Sequence, residues 1–283
     1  QCHGFAKIKE AYAARIQDVV RMTVRTTVGE FASDVAPSGA VQTVAMGATS
    51  MTLESFLDCL DMLFEQLRGL LTSVSSVDDF LVAEGLTFEE EDIRHANSFE
   101  DSSTNGESSK KRTPMSSVIV AVSELLSKSI SELLRLRKEA HSLVTLDEMR
   151  SIWAVCSAFA DGIDEIGGNG HTSALRTSLM AQAKAFLERK HEGNMSGLAA
   201  ALDSERWVQC EVSTERQAAL TRLCSGLSVV LSPSKLSKIE RGASTQKQPE
   251  VEIEGSRYRV VWSCLLLMEM VLSNIAAAAH FPN

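Results

Sequence analysis

The sequence predicts an all-α protein, an elongated rod of stacked helical bundles with one small β-hairpin near residues 250–261. Three observations lead there. Apolar residues recur three, four or seven apart over most of the chain, which places them on one face of successive helices. The 44% hydrophobic content comes mainly from Leu, Ala, Val and Met, with only 5% aromatics, so strong helix formers dominate. Strand-like alternation is confined to Val251, Ile253, Tyr258 and Val260, flanking the turn residues Glu254-Gly255-Ser256. With 283 residues the chain suffices for two domains or one extended helical assembly.

Phe5 to Phe31 reads as a long helix, with Ile8, Tyr12, Ile16, Val20, Val24 and Val28 along one face. Asp34 to Gly47, carrying Pro37 and Gly39, is looser. Thr52 caps a second helix whose stripe (Phe56, Leu60, Leu63, Leu67, Leu70, Leu71) is close to a coiled-coil seam. A separate short helical piece is expected over Phe80 to Leu86. Glu89 to Thr113 holds four successive acids, many Ser and Asn, and Lys110-Lys111-Arg112; so few apolar residues cannot offset the entropy of ordering, and a disordered loop is expected. Val118 to Leu143 returns to helix. Thr145-Leu146-Asp147-Glu148 opens the next, which Gly167-Gly168-Asn169-Gly170 ends. Leu175 to Trp207 follows as a long amphipathic helix through Leu179, Phe186, Leu187, Leu198 and Leu202. Ser213 to Leu223 forms a shorter one, and Val261 to Ala279 the last. Residues 1–88 thus read as a helical segment, 89–113 as an acidic Ser-rich loop, and 114–231 as a bundle containing the signature helix. Residues 232–249 read as a polar linker, and 250–283 as the hairpin and the start of a further bundle. No sequence period of 20–50 residues repeats, which argues against a solenoid.

A net charge of −9 argues against a nucleic-acid surface, which needs clustered Lys and Arg, and leaves room for local basic patches. Cys2, Cys59, Cys156, Cys210, Cys224 and Cys264 show no CxxC spacing and sit mostly in helical patterns; a reducing, cytosolic compartment is the reading. The chain lacks an initiator Met and a signal peptide and begins inside a helical pattern, so it reads as a fragment of something longer. Val260 to Ala279 has the length of a membrane span. Glu269 at its centre costs about 2.5–3.5 kcal/mol on insertion, whereas each Leu returns about half a kcal/mol. A buried helix of a soluble bundle is therefore expected.

No intact catalytic motif is visible. His191-Glu192 begins like the zinc-binding HExxH pattern, but Met195 stands at the second ligand position. His3, His95, His141, His171 and His280 have no ligand spacing, so His191 and Glu192 read as a polar helix edge. Gly168-Asn169-Gly170 lacks the preceding strand of a phosphate loop. Asp78-Asp79 resembles the opening of an aspartate-rich diphosphate motif, yet Val82 replaces the closing acid. Asn194-Met195-Ser196 has the form of a glycosylation sequon that a cytosolic chain does not use. Thr113-Pro114 has the form of a phosphorylation site and the basic triplet that of a localisation signal, with plain loop residues as the alternative. No metal, cofactor or catalytic residue is assigned. Gly193 and Gly197 each cost about 1 kcal/mol relative to Ala inside a helix. A bend or a close helix crossing is expected there, a crossing better fitting the small residues Ala199, Ala200 and Ala201.

One combination of residues is recognisable. Ala181-Gln182-Ala183-Lys184-Ala185-Phe186, then His191-Glu192, Leu198, and Leu202-Asp203-Ser204-Glu205-Arg206-Trp207 resembles the vacuolar protein sorting-associated protein 54 family. Ile166-Gly167-Gly168 before it, and Val251 to Tyr258 leading into Leu265-Leu266-Leu267-Met268 after it, fall in the same order. The resemblance covers roughly Leu146 to Pro282. It implies a non-enzymatic subunit of the Golgi-associated retrograde protein (GARP) complex, which tethers endosome-derived vesicles at the trans-Golgi network. The implied partners are other GARP subunits, SNARE proteins and Golgi small GTPases. The implied location is the cytoplasm, as a peripheral protein on the cytosolic face of the trans-Golgi network and endosomes. The implied architecture is a helical rod; the family's amino-terminal assembly coiled coil is expected outside this sequence. Phe186, His191, Glu192, Leu198, Leu202, Asp203, Glu205 and Trp207 are its signature and packing residues here. Trp207 is expected to fill a bundle junction, with truncation costing about 3–5 kcal/mol. Alternatives are an exocyst or syndetin-like tethering subunit, and an all-α enzyme such as a metal hydrolase or prenyl-chain enzyme.

Overall fold

The computed structural model describes residues 2–33, 43–85, 113–224 and 247–281. The fold is all-α with a small β-hairpin, as the sequence predicts. Most of the 89–113 loop and of the 232–249 linker lies outside the described residues.

The chain divides into two compact units, the first formed by residues 1–137 and 154–179. Its helices are α1 (Cys2–Ser33), α2 (Val44–Ser50), α3 (Leu53–Ala83) and α4 (Ser116–Leu136), with parts of α6 (Leu146–Gly167) and α7 (Ser173–Asp203). The α3 stripe is the centre of the core: Phe56, Leu60, Leu63, Leu67 and Leu71 are fully buried, each Leu contributing about 2 kcal/mol. Val20 and Val28 of α1, Leu126 and Ile130 of α4, and Ile163 of α6 close around it. Phe64 stacks on Phe159 with ring centroids 3.9 Å apart. Thr52 caps α3 as expected, its Oγ1 accepting from the Ser55 N–H at 3.2 Å.

Three details differ from the expectation, and a contact of Asp78 adds to it. The short piece at Phe80 is no separate helix, because α3 continues unbroken to Ala83. The looser stretch contains α2, capped by Thr43 and pressed onto α1 at Gly47, where an added Cβ would lie 3.1 Å from Ala32 Cβ. Asp78 begins no ligand motif; it is buried, and its carboxylate accepts from the Met115 N–H at 2.7 Å, tying the start of α4 to the end of α3. Finally, Val118 to Leu143 is not one helix. It breaks at Arg137, whose buried guanidinium donates to the carbonyls of Ala48 (2.6 Å) and Met51 (2.9 Å) and lies 4.5 Å above the Phe56 ring. Reaching those carbonyls, which the end of α2 leaves without helical partners, ends α4 there.

The second unit comprises residues 138–153 and 180–283. It holds α5 (Lys138–Ser142), the start of α6, most of α7, β1 (Val212–Ser213), α8 (Thr214–Cys224), β2 (Lys247–Gln248), β3 (Val251–Ile253), β4 (Ser256–Tyr258) and α9 (Trp262–Ala278). Thr145 and Glu148 form a reciprocal capping box at the start of α6: Glu148 accepts from the Thr145 N–H at 2.6 Å, and Thr145 Oγ1 from the Glu148 N–H at 3.3 Å. The predicted hairpin is present, pairing Val251 with Tyr258 and Ile253 with Ser256. Both turn residues have positive φ (Glu254 50°, Gly255 79°), the requirement of a two-residue hairpin loop. A second antiparallel pair was not foreseen: Val212 opposes Gln248 and Ser213 opposes Lys247, placing strand at the end of the expected linker. Two residues a side are too short to show alternation. Val212, Leu220, Val251, Val260 and Leu265 form the local core.

No helix among the described residues is long and apolar enough to cross a membrane. Glu269, the residue that argued against a span, pairs with Arg216. Yet α9 is not the fully buried helix expected. Leu265 and Ala277 are buried, whereas Leu267, Val271 and Ile275, spaced i, i+4, i+8, are exposed.

Candidate interaction surface

The signature residues fall in the second unit along α7 and the turn after it. Phe186 is the buried one, at 3% exposure; its ring meets Phe281 edge-on at 6.3 Å, and Phe281 meets Trp153 at 5.4 Å. His191 and Glu192 are exposed, Glu192 lying 3.7 Å from Arg189, which agrees with a polar helix edge. Among the described residues, no group of three His, Cys, Asp or Glu side chains is placed to hold a metal. Leu198 is half-buried, and Leu202 and Asp203 are exposed. The apolar face that is well buried at Phe186 has therefore run out by the end of the helix.

Gly193 and Gly197 behave differently. An added Cβ at Gly193 meets nothing within 4 Å, whereas at Gly197 it would lie 3.5 Å from Met270 Cε of α9. Asn194 donates to Asn274 at 3.1 Å beside it. Of the two glycines, Gly197 is the one that faces another helix, and a methyl group there makes only ordinary contact, so the close crossing expected from the sequence is not seen.

The helix ends at Asp203, four residues before Trp207. Ser204 Oγ turns back onto the Ala200 carbonyl at 2.8 Å, and the side chain of Glu205 is drawn away to α9. One Glu205 oxygen accepts from the Ser263 N–H at 2.8 Å, near the start of α9, and the other from the Trp207 N–H at 3.2 Å. These hydrogen bonds, Ser263 foremost, hold the Glu205 carboxyl below the usual carboxylate range. Trp207, expected at a packed junction, is instead 72% exposed with φ 56°. The left-handed backbone carries its side chain away from the unit's own core. Val208 beside it is also exposed.

Three groups escaped the sequence reading. Arg216 pairs with Glu269 and lies 4.7 Å above the Trp262 ring, joining α8 to α9. Gln217 imitates a strand neighbour: its amide nitrogen donates to the Glu252 carbonyl (2.6 Å) and its oxygen accepts from the Glu252 N–H (2.9 Å). Cys210 is bound to Val260 through its N–H at 3.0 Å. Each joins residues far apart in sequence, and no local pattern announces such pairs.

The site holds no metal-binding group of side chains among the described residues. It offers aromatic and aliphatic side chains (Leu202, Trp207, Val208 and the α9 stripe) held outward on hydrogen-bonded backbone, the composition of a protein-contact surface.

A plant relative from Arabidopsis thaliana, vacuolar protein sorting-associated protein 54, chloroplastic, is 36% identical over 93 residues, 33% of this chain. The human protein of that name is 33% identical over 122 residues and the mouse protein 28% over 138, covering 42% and 48% of this chain. The chain resembles vacuolar protein sorting-associated protein 54. The matched segments span only 9–13% of the length of these three relatives. No protein-family model matches the chain, and no solved structure does. The resemblance drawn from the sequence is thus to the protein whose name these plant and mammalian relatives carry.

Proposed function

We propose that this chain is part of a non-enzymatic subunit of a multisubunit vesicle-tethering complex, the GARP complex, in retrograde transport from endosomes to the trans-Golgi network. Its helices act as a scaffold for protein–protein contacts. The observation that carries the reading is the similarity to vacuolar protein sorting-associated protein 54 from plant and mammals. The outward apolar residues of α9 and of the Leu202–Val208 turn support it, since an assembly subunit needs faces that other polypeptides cover. Other GARP subunits, SNARE proteins and Golgi small GTPases are the proposed partners. Peripheral attachment to the cytosolic face of the trans-Golgi network and endosomes is the proposed location. Phe186 serves within the core, Glu205 fixes the turn, and Leu202 and Trp207 face a partner. Affinity purification of the full-length protein, read by mass spectrometry, tests this. Recovery of the other tether subunits is expected, and recovery of exocyst subunits in their place would overturn it.

A further inference from the structure

In the second unit, the loop between α5 and α6 and the middle of α7 enclose a cleft of about 240 Å³. Leu143, Leu146 and Phe186 give it apolar walls, and Arg189 and Lys190 give it charge. The charges there do not balance. Lys190 is half-buried and has no carboxylate partner among the described residues; its neighbours are the Phe186 ring at 5.9 Å and a second cation, Arg150. Burial first, and Arg150 second, push the Lys190 ammonium below the ordinary lysine range. Arg150 spends one nitrogen on Asp147 at 2.8 Å, while its Nε is buried with no hydrogen-bond partner. Among the described residues, the partner of Arg189 is the exposed Glu192 at 3.7 Å, a pairing worth little in water. A half-buried cation crowded by another cation, in a chain whose net charge is −9, is a local reversal that costs stability unless an anion arrives.

We propose that this cleft receives an acidic side chain of a partner polypeptide, with an apolar residue next to it lying on Leu143. The charge selects a carboxylate for Arg189 and Lys190. The walls select its carrier. A free small anion in an open, salt-screened cleft gains little, whereas a polypeptide also covers Leu143, which is 69% exposed, gaining about 25 cal/mol per Å² of apolar surface buried. The proposal holds whether or not the chain belongs to a tether.

Fluorescence polarisation of the full chain with a fluorescein-labelled peptide of alternating Glu and Leu tests it. Binding is expected that weakens with salt, that falls about tenfold when Gln replaces Glu in the peptide, and that falls similarly in Lys190→Met. Leu143→Ser is expected to weaken it without altering its salt dependence, and Arg189→Gln gives a second charge variant should Lys190→Met fold poorly. Equal binding of the Gln peptide, or binding unaffected by both charge variants, would overturn the proposal. So would inorganic phosphate, or vesicles containing a phosphatidylinositol phosphate, binding with the same Lys190 dependence while the Glu–Leu peptide does not bind.

Discussion

The Glu205 carboxylate accepts a hydrogen bond at 2.8 Å from the backbone N–H of Ser263, 58 residues further along the chain, and so closes the amino-terminal end of α9. Val261, at the N-cap position itself, has no side-chain acceptor. Because the bound carboxyl titrates below its usual range, its stabilisation is present at neutral pH and is lost as pH falls through the lowered pKa. Glu205→Ala is therefore expected to lower Tm at neutral pH and to flatten the fall in stability as pH drops from neutral through and below the ordinary carboxylate range. Identical acid limbs for the two proteins would show that the contact contributes nothing.

Trp207 gives the opposite expectation from a packed tryptophan. Truncation to Ala should change folding stability by no more than about 0.5 kcal/mol, the range of surface substitutions. Trp207→Gly should be more stable by about 1 kcal/mol, because the left-handed conformation strains any L side chain. Chemical denaturation of both variants measures this. A loss of several kcal/mol in Trp207→Ala would mean that the side chain is covered.

The two helix glycines are separable by substitution. Gly193→Ala should stabilise by about 1 kcal/mol, since the added methyl meets empty space and helix propensity improves. Gly197→Ala should gain no more than that, while Gly197→Leu must displace Met270 and should destabilise. Equal melting temperatures for Gly197→Ala and Gly197→Leu would show that Met270 does not limit the side chain at this position.

Arg137→Met would leave the buried carbonyls of Ala48 and Met51 without their donor, at an expected cost of about 2–4 kcal/mol. Arg137→Lys, reaching less far and without the planar fork, should fall between. Urea midpoints at constant slope decide it; a near-neutral Arg137→Met would mean that water replaces the guanidinium.

Thiol chemistry should divide the cysteines sharply. Burial pushes Cys156 up to about 12, with Asp61 adding to the effect, and Cys59 up to about 11 against an opposing pull from Arg137. Cys224 is exposed. A thiolate-selective disulfide reagent at about pH 8 should label Cys224 within the native protein and leave Cys59 and Cys156 until denaturant is added. Fast native labelling of Cys156 would contradict the packing around α6.

What the sequence made legible was what repeats locally. The α3 stripe, the Thr145–Glu148 box and the Glu254-Gly255 turn are each complete within a few residues, so periodicity and side-chain chemistry sufficed to place them. The breaks were illegible for the complementary reason. Nothing between Val118 and Leu143 signals a stop, because the helix yields to carbonyls near residue 50 that only the folded arrangement brings to Arg137. The end of α7 is set in the same way by Ser263, and so the reading carried that helix to Trp207. The spacing of His191 and Met195 alone argues against a zinc-binding HExxH pattern, since it is complete within five residues. The outward turn of Trp207 depended on one backbone angle and could not be read in advance.

The short ladder of Val212–Ser213 with Lys247–Gln248 fastens two points 33 intervening residues apart. It works as a clasp: the strand that leads into α8 is held against the strand that precedes β3, beside the core that Val212, Leu220 and Val251 share. The entropy of closing such a loop grows only logarithmically, about 0.6 kcal/mol for each doubling of length. The register of Val212 against Gln248 is therefore what carries Val251 to the core beside Val212 and Leu220, whatever the length of chain between the two strands.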